Sequence, residues 1–189
     1  MSTIANYLVK WSLKSGIIDP YQADIMRYYL EVLLSTAVTM IPLIVISFLI
    51  SSPPIIISYF FTVFFLRHRT NGYHAESIWG CVIVSIICIF VFLGLIPRFI
   101  PLRYILLLLL IAESIIILMA PYNHPNMNYS SHELRLCKLS SWIRSGFAIV
   151  LVTIFIHFNF TSAATGIAMG IIQTAFLLFI AKTKKEKSQ

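Results

Sequence analysis

Acidic side chains are scarce in this chain: there are seven in 189 residues, and charges of both signs make up only 11% of it. Soluble domains carry about a quarter of their residues charged. With 59% hydrophobic residues and a mean hydropathy of +0.88, a soluble globular fold is excluded. Cysteine is equally sparse. Cys81, Cys88 and Cys137 form no CxxC pair and no disulfide framework. The chain also lacks a GxxxxGK[ST] phosphate loop, a GxGxxG turn and an HExxH helix, the usual sequence grounds for nucleotide-driven, dinucleotide-dependent or zinc-protease chemistry. No cofactor, no metal and no nucleic-acid partner is therefore expected. Repeats of solenoid period are absent.

A cleavable leader is missing as well. The first 31 residues contain Lys10, Lys14, Asp19, Asp24, Arg27 and Glu31 and no apolar run ending in a small-residue cleavage site, so the N-terminus is expected to be kept. Tyr7, Leu8, Trp11 and Leu13 are spaced as on an interfacial helix, which breaks at Gly16 and Pro20.

What the chain has in abundance is apolar runs. About 20 helical residues cross a bilayer core of roughly 30 Å, and runs near residues 32–50, 53–66, 78–96, 104–120, 142–159 and 162–181 fit that requirement, the second being short. The expected fold is one all-α integral membrane domain over residues 1–189. It has six transmembrane helices in the lipid bilayer, preceded by an interfacial amphipathic helix in 1–31. Gly166 and Gly170 form a GxxxG pair in the sixth run, which predicts close helix packing within one chain or, in a homodimer, between subunits.

Basic residues orient the bundle, because cytoplasmic loops are enriched in Lys and Arg. Lys10, Lys14, Arg27, Arg67, Arg69, Arg135, Lys138, Arg144, Lys182, Lys184, Lys185 and Lys187 fall on one side of six alternating spans, and only Arg98 and Arg103 on the other. Twelve against two puts both termini and the loop around His74 in the cytoplasm.

That loop holds the most reactive chemistry in the chain. In LRHRTNGYHAESIWGCVIVS, residues 66–85, Cys81 stands just inside the third run, seven residues after His74 and downstream of Arg67 and Arg69. Thiolate is the nucleophilic form of cysteine, and imidazole, cations and helix N-termini all favour it. Seven residues is two helical turns, so the pair would share a face, but a straight helix would hold the two Cα atoms roughly 10 Å apart. A catalytic pair therefore requires residues 70–76 to fold back, and Asn71-Gly72 is the sequence best able to bend. The plainer reading makes Cys81 a small apolar filler, as Cys88 would be, and His74 a solvated loop residue. A rival pair, His132 or His124 with Cys137, is not rejected by spacing.

Arg67, Gly72, His74, Ala75 and Cys81 follow the order R-x(4)-G-x-H-A with a Cys seven residues past the His. A second block, MAPYNHPNMNYSSHELRLCKLSS, runs from Met119 to Ser141. Together they resemble the accessory gene regulator protein B (AgrB) family along essentially the whole chain. Family members often carry Gly-Gly where this sequence has Asn71-Gly72, and Asn also tolerates a left-handed backbone. The resemblance implies a cysteine endopeptidase in the membrane of a Gram-positive bacterium, with its active site on the cytoplasmic side. His74 would be the general base and Cys81 the nucleophile, cutting the acidic C-terminal part from a small AgrD-like propeptide. The resulting thioester would then be captured by a substrate side chain to close a thiolactone or lactone ring.

Two further positions stand out. Glu113 lies in the middle of the fourth run, where a carboxylate costs at least about 2.5 kcal/mol unless paired, protonated or hydrated. It is expected to face the bundle interior, lining a substrate cavity or bonded to a residue such as Gln173 or Ser114. Arg67 either holds an acidic substrate tail or anchors its helix end by snorkelling. The competing class is a small transporter or permease, for which six spans, Glu113 and breaks at Pro42 and Pro53-Pro54 would also serve.

Overall fold

Proline and the three basic residues that close it define the first long helix of the bundle. Pro53 and Pro54 occupy its opening turn, where missing amide hydrogens cost nothing, and Arg67, His68 and Arg69 sit in its last turn, facing the negative helix end. The computed structural model describes residues 2–15, 23, 26, 30, 41, 43–70, 78–122 and 131–186. All regular structure among them is helical, with no strand. Two units emerge, Met1–Ile46 and Ser47–Gln189.

In the first unit α1 covers Ser2–Lys14, as the spacing of its aromatic residues predicts. It is two-sided: Val9 and Ser12 are buried while Tyr7 and Trp11 are exposed.

The second unit contains helical residues 47–50 and then α2 (Pro53–Thr70), α3 (Ile78–Ile89), α4 (Leu102–Met119), α5 (Ser131–His157) and α6 (Thr161–Glu186). From α3 the chain continues through a π-helical stretch, Phe90–Leu95, into a final turn, Ile96–Phe99. Pro97 accounts for the widening. It has no N–H to donate and its ring crowds the carbonyl one turn back, and the π register, seen in the Ile96 N–H bonded to Val91 O, relieves that crowding.

Among the described residues four helical stretches are long and apolar enough to cross a membrane: Val82–Phe99, Leu102–Met119, Ser131–His157 and Thr161–Thr183. The chain is a membrane protein. These four correspond to the expected runs 78–96, 104–120, 142–159 and 162–181, with one correction. The fifth helix begins at Ser131 rather than near 142, so most of the expected 121–144 loop is helix. Its first turns, SHELRLCKLSS, are polar yet rich in strong helix formers, and hydropathy alone misses them. The expected second run is likewise extended by its polar end to Thr70. Of the expected first run, residues 32–40 and Pro42 lie outside the described residues.

α6 is the central helix. Within its apolar window 67% of residues are buried inside the protein, against 22% in each of the other three. Glycine explains how α2 comes so close. A Cβ on Gly170 would stand 2.8 Å from Thr62 Cβ and 3.1 Å from Tyr59 O, and one on Gly166 would collide with Ser58 Oγ and Ile55 O. The GxxxG pair is thus used within the chain. The pairing of 166 with 55–58 and of 170 with 59–62 makes α2 and α6 parallel.

The α5–α6 link is a Schellman turn. Phe160 N–H donates to Phe155 O (2.8 Å) and Asn159 N–H to Ile156 O (3.0 Å). Asn159 has φ 61°, and the Phe155 and Phe160 rings close the motif at 6.2 Å. Asn159→Val is expected to cost about 1–2 kcal/mol, because a β-branched residue resists the left-handed conformation, whereas Asn159→Gly should be near neutral. Thermal melting of the two purified variants distinguishes them.

Candidate functional site at the basic end of the bundle

The helix directions bring one end of the bundle together. Trp142 Nε1–H donates to Ile117 O (3.1 Å), and one turn on along α5 and one turn back along α4 Ser145 is the hydrogen-bonding neighbour of Glu113. α4 and α5 are therefore antiparallel. Tyr122 N–H donates to Thr70 O (3.0 Å), joining the residues that follow α4 to the last residue of α2. The C-terminal ends of α2, α4 and α6 thus share one end with the start of α5. Arg67, Arg69, Arg135, Lys138 and Lys182 lie there, while Arg98 and Arg103 lie on the elements of the opposite end.

The Tyr122–Thr70 bond also links the two sequence blocks. Thr70 stands between Arg67 and Gly72 of the first, and Ala120, Pro121 and Tyr122 open the second. The Ala120–Pro121 peptide is cis. About fifty residues apart in sequence, the blocks meet through one main-chain hydrogen bond.

Of the residues singled out in the first block, Asn71, Gly72 and His74 lie outside the described residues. Cys81 belongs to α3, one turn from its start. Arg67 is half-buried and within electrostatic reach of Tyr59 and of Cys88 on α3. A straight helix from Tyr59 to Cys88 would hold them about 44 Å apart. Because they interact, α3 runs back past α2 as a separate element.

Cys88 is buried, consistent with its role as a filler. Cys137 is buried in α5, and His132 is exposed on the same helix. Five residues turn them about 140° apart around the helix, so these two do not form a pair; His124 lies outside the described residues.

Glu113 faces inward, as its position predicts, but its neighbour is Ser145. Ser114 instead bonds Leu110 O (3.0 Å) on its own helix. Gln173 is buried, with Oε1 lacking a partner among the described residues, as does Glu113 Oε2. Sequence reasoning missed Ser145. A stripe of small residues, Cys137, Ser141, Ser145, Ala148 and Val152, marks the buried face of α5 and was the available signal. Tyr122 was missed too, since a main-chain bond between distant segments leaves no trace in residue type.

Compared with known proteins, the chain matches the family model of accessory gene regulator B over residues 1–179. No curated protein and no solved structure gives a significant match.

Proposed function

The chain belongs to the accessory gene regulator B family, and from that premise we propose that it is a membrane cysteine endopeptidase of quorum-sensing peptide processing. Its substrate would be a small AgrD-like propeptide, cut ahead of its acidic C-terminal part. Cys81 thiolate attacks the scissile carbonyl, and the amine leaves with the proton that the His74 imidazole has taken from the thiol. The acyl group then rests on Cys81 as a thioester. A thiol or hydroxyl within the substrate attacks that thioester, closes the ring and releases Cys81. Passing an acyl group between thiols exchanges one thioester for another at little free-energy cost, whereas a serine ester would be a poor donor. A site at the membrane edge, where water is scarce, favours ring closure over hydrolysis.

The observation that carries this reading is the bond from Tyr122 N–H to Thr70 O, which supports one shared site for the two family blocks. Asn71 and Gly72 would supply the bend that this reading requires for His74 to reach Cys81, and Arg67 would hold the acidic part of the substrate. On the same proposal the four long apolar helices are joined by spans near 32–50 and 53–66, for six in all. The basic end and both termini face the cytoplasm of a bacterial cell. Co-expression with a candidate propeptide tests the reading: a cyclised product and a released acidic fragment are expected, and intact propeptide in the presence of abundant protein would contradict it.

Glu113 supports the bundle rather than the reaction, given its Ser145 neighbour. Glu113→Gln keeps a hydrogen-bonding group there and is expected to process propeptide within about twofold of the wild type. Glu113→Leu removes that hydrogen bond while Ser145 Oγ keeps Trp142 O (3.2 Å) as acceptor, and should cost about 0.5–1.5 kcal/mol, read as a lower melting temperature in detergent. A Glu113→Gln protein that melts normally but does not process would move Glu113 into the mechanism.

A further inference from the structure

A groove of about 370 Å³ opens between α2 and α5, lined by Phe61, Phe64, Phe65, His68 and Arg144. Phe61 and Phe64 are 60% and 73% exposed, and if α2 is the proposed span near 53–66 such rings face acyl chains. Arg144 is half-buried beside them. Its Nη1–H donates to Phe65 O at 2.7 Å, and its guanidinium stacks over the Phe65 ring at 4.8 Å. These contacts fix the plane of the guanidinium and engage one of five N–H donors. Among the described residues no carboxylate forms an ion pair with Arg144.

Depth decides what fits. Phe65 stands five residues, about 7.5 Å, short of Thr70 at the helix end; with α2 as the proposed span near 53–66, that is the depth at which a hydrocarbon chain gives way to its polar head. An oriented guanidinium matches a phosphate in forked geometry, and the exposed phenyl rings match the chain attached to it. The geometry points to a binding site for one anionic phospholipid, its phosphate on Arg144 and its acyl chain along Phe61 and Phe64. The site does not depend on the protease reading, because none of these groups takes part in the proposed reaction.

The full-length protein, delipidated in neutral detergent, is titrated with phosphatidylglycerol, and bound lipid is counted by native mass spectrometry. Phosphatidylglycerol should bind and raise the melting temperature, while phosphatidylcholine and free glycerol phosphate should do neither. Arg144→Gln should weaken phosphatidylglycerol about fivefold or more, the effect of one basic residue at an anionic surface, and Lys138→Gln should leave it within twofold. Phe64→Ala removes only an exposed ring, so it tests the acyl-chain contact should Arg144→Gln fail to fold; it should weaken the lipid severalfold. The inference is overturned if Arg144→Gln or Phe64→Ala binds phosphatidylglycerol as the wild type does, or if phosphatidylcholine binds equally. It is overturned too if a hexaglutamate peptide displaces the lipid and stabilises the protein itself, which would make the groove a peptide site.

Discussion

Cys81→Ala is expected to lower propeptide processing by at least about a thousandfold, the scale on which removing a nucleophile acts, while the protein still accumulates in the membrane. The substitution sits in the helical backbone of α3, and alanine is the best helix former, so loss of the fold cannot explain a loss of that size. Cys81→Ser should be nearly as damaging. A hydroxyl is a far weaker acid than a thiol, and an ester is a poorer acyl donor to a substrate thiol. His74→Ala should fall in the same range, with the double substitution little worse than either single one, because residues that act as a unit are not additive. A carrier or a scaffold would work nearly unimpaired with both side chains removed. Quantifying cyclised peptide in cells that express equal amounts of each variant decides between these classes.

The second large effect is structural. Gly170→Leu is expected to remove most of the folded protein, at a cost on the order of 3 kcal/mol or more, the upper part of the range for overpacking. The atoms that the new side chain would meet include the main-chain oxygen of Tyr59, which cannot swing aside as a side chain can. The helices must separate instead, and α6 is the element on which α2, α4 and α5 all pack. Gly166→Leu should behave alike, since its neighbours include Ile55 O. Gly146 is the internal control: a Cβ there meets nothing within 4 Å, so Gly146→Ala should be neutral or raise stability by up to about 1 kcal/mol. Size-exclusion profiles and melting curves in detergent test all three, and a Gly170→Leu protein as monodisperse and stable as the wild type would refute the packing account.

How much of this was legible in the sequence depended on the kind of signal. Hydropathy reported where lipid would be, so the apolar parts of α3, α4 and α6 were readable to within a few residues. It did not report where helices end, because a helix can leave the membrane and continue in water. Glu133, Arg135 and Lys138 disguised the first turns of α5 as loop for that reason, and Arg67 to Arg69 did the same to the last turn of α2. The GxxxG pair announced a close approach but could not say to which helix, since small residues carry no address. Glu113 could be placed in the interior from the cost of its charge, yet its neighbour Ser145 lies on a helix far away in sequence. For the proposed site, the order of Arg67, Gly72, His74 and Cys81 carries the proposed chemistry in sequence alone, and the meeting of the second block with Thr70 became visible only in three dimensions.

The most direct measurement is a peptide map of the protein isolated with its propeptide under acidic quench, which preserves thioesters. An acyl peptide ending at the cleavage point is predicted on Cys81, labile to hydroxylamine and missing from His74→Ala. The same adduct on Cys137 or Cys88, or cyclised product that forms while residue 81 stays unmodified at every time point, would contradict the account.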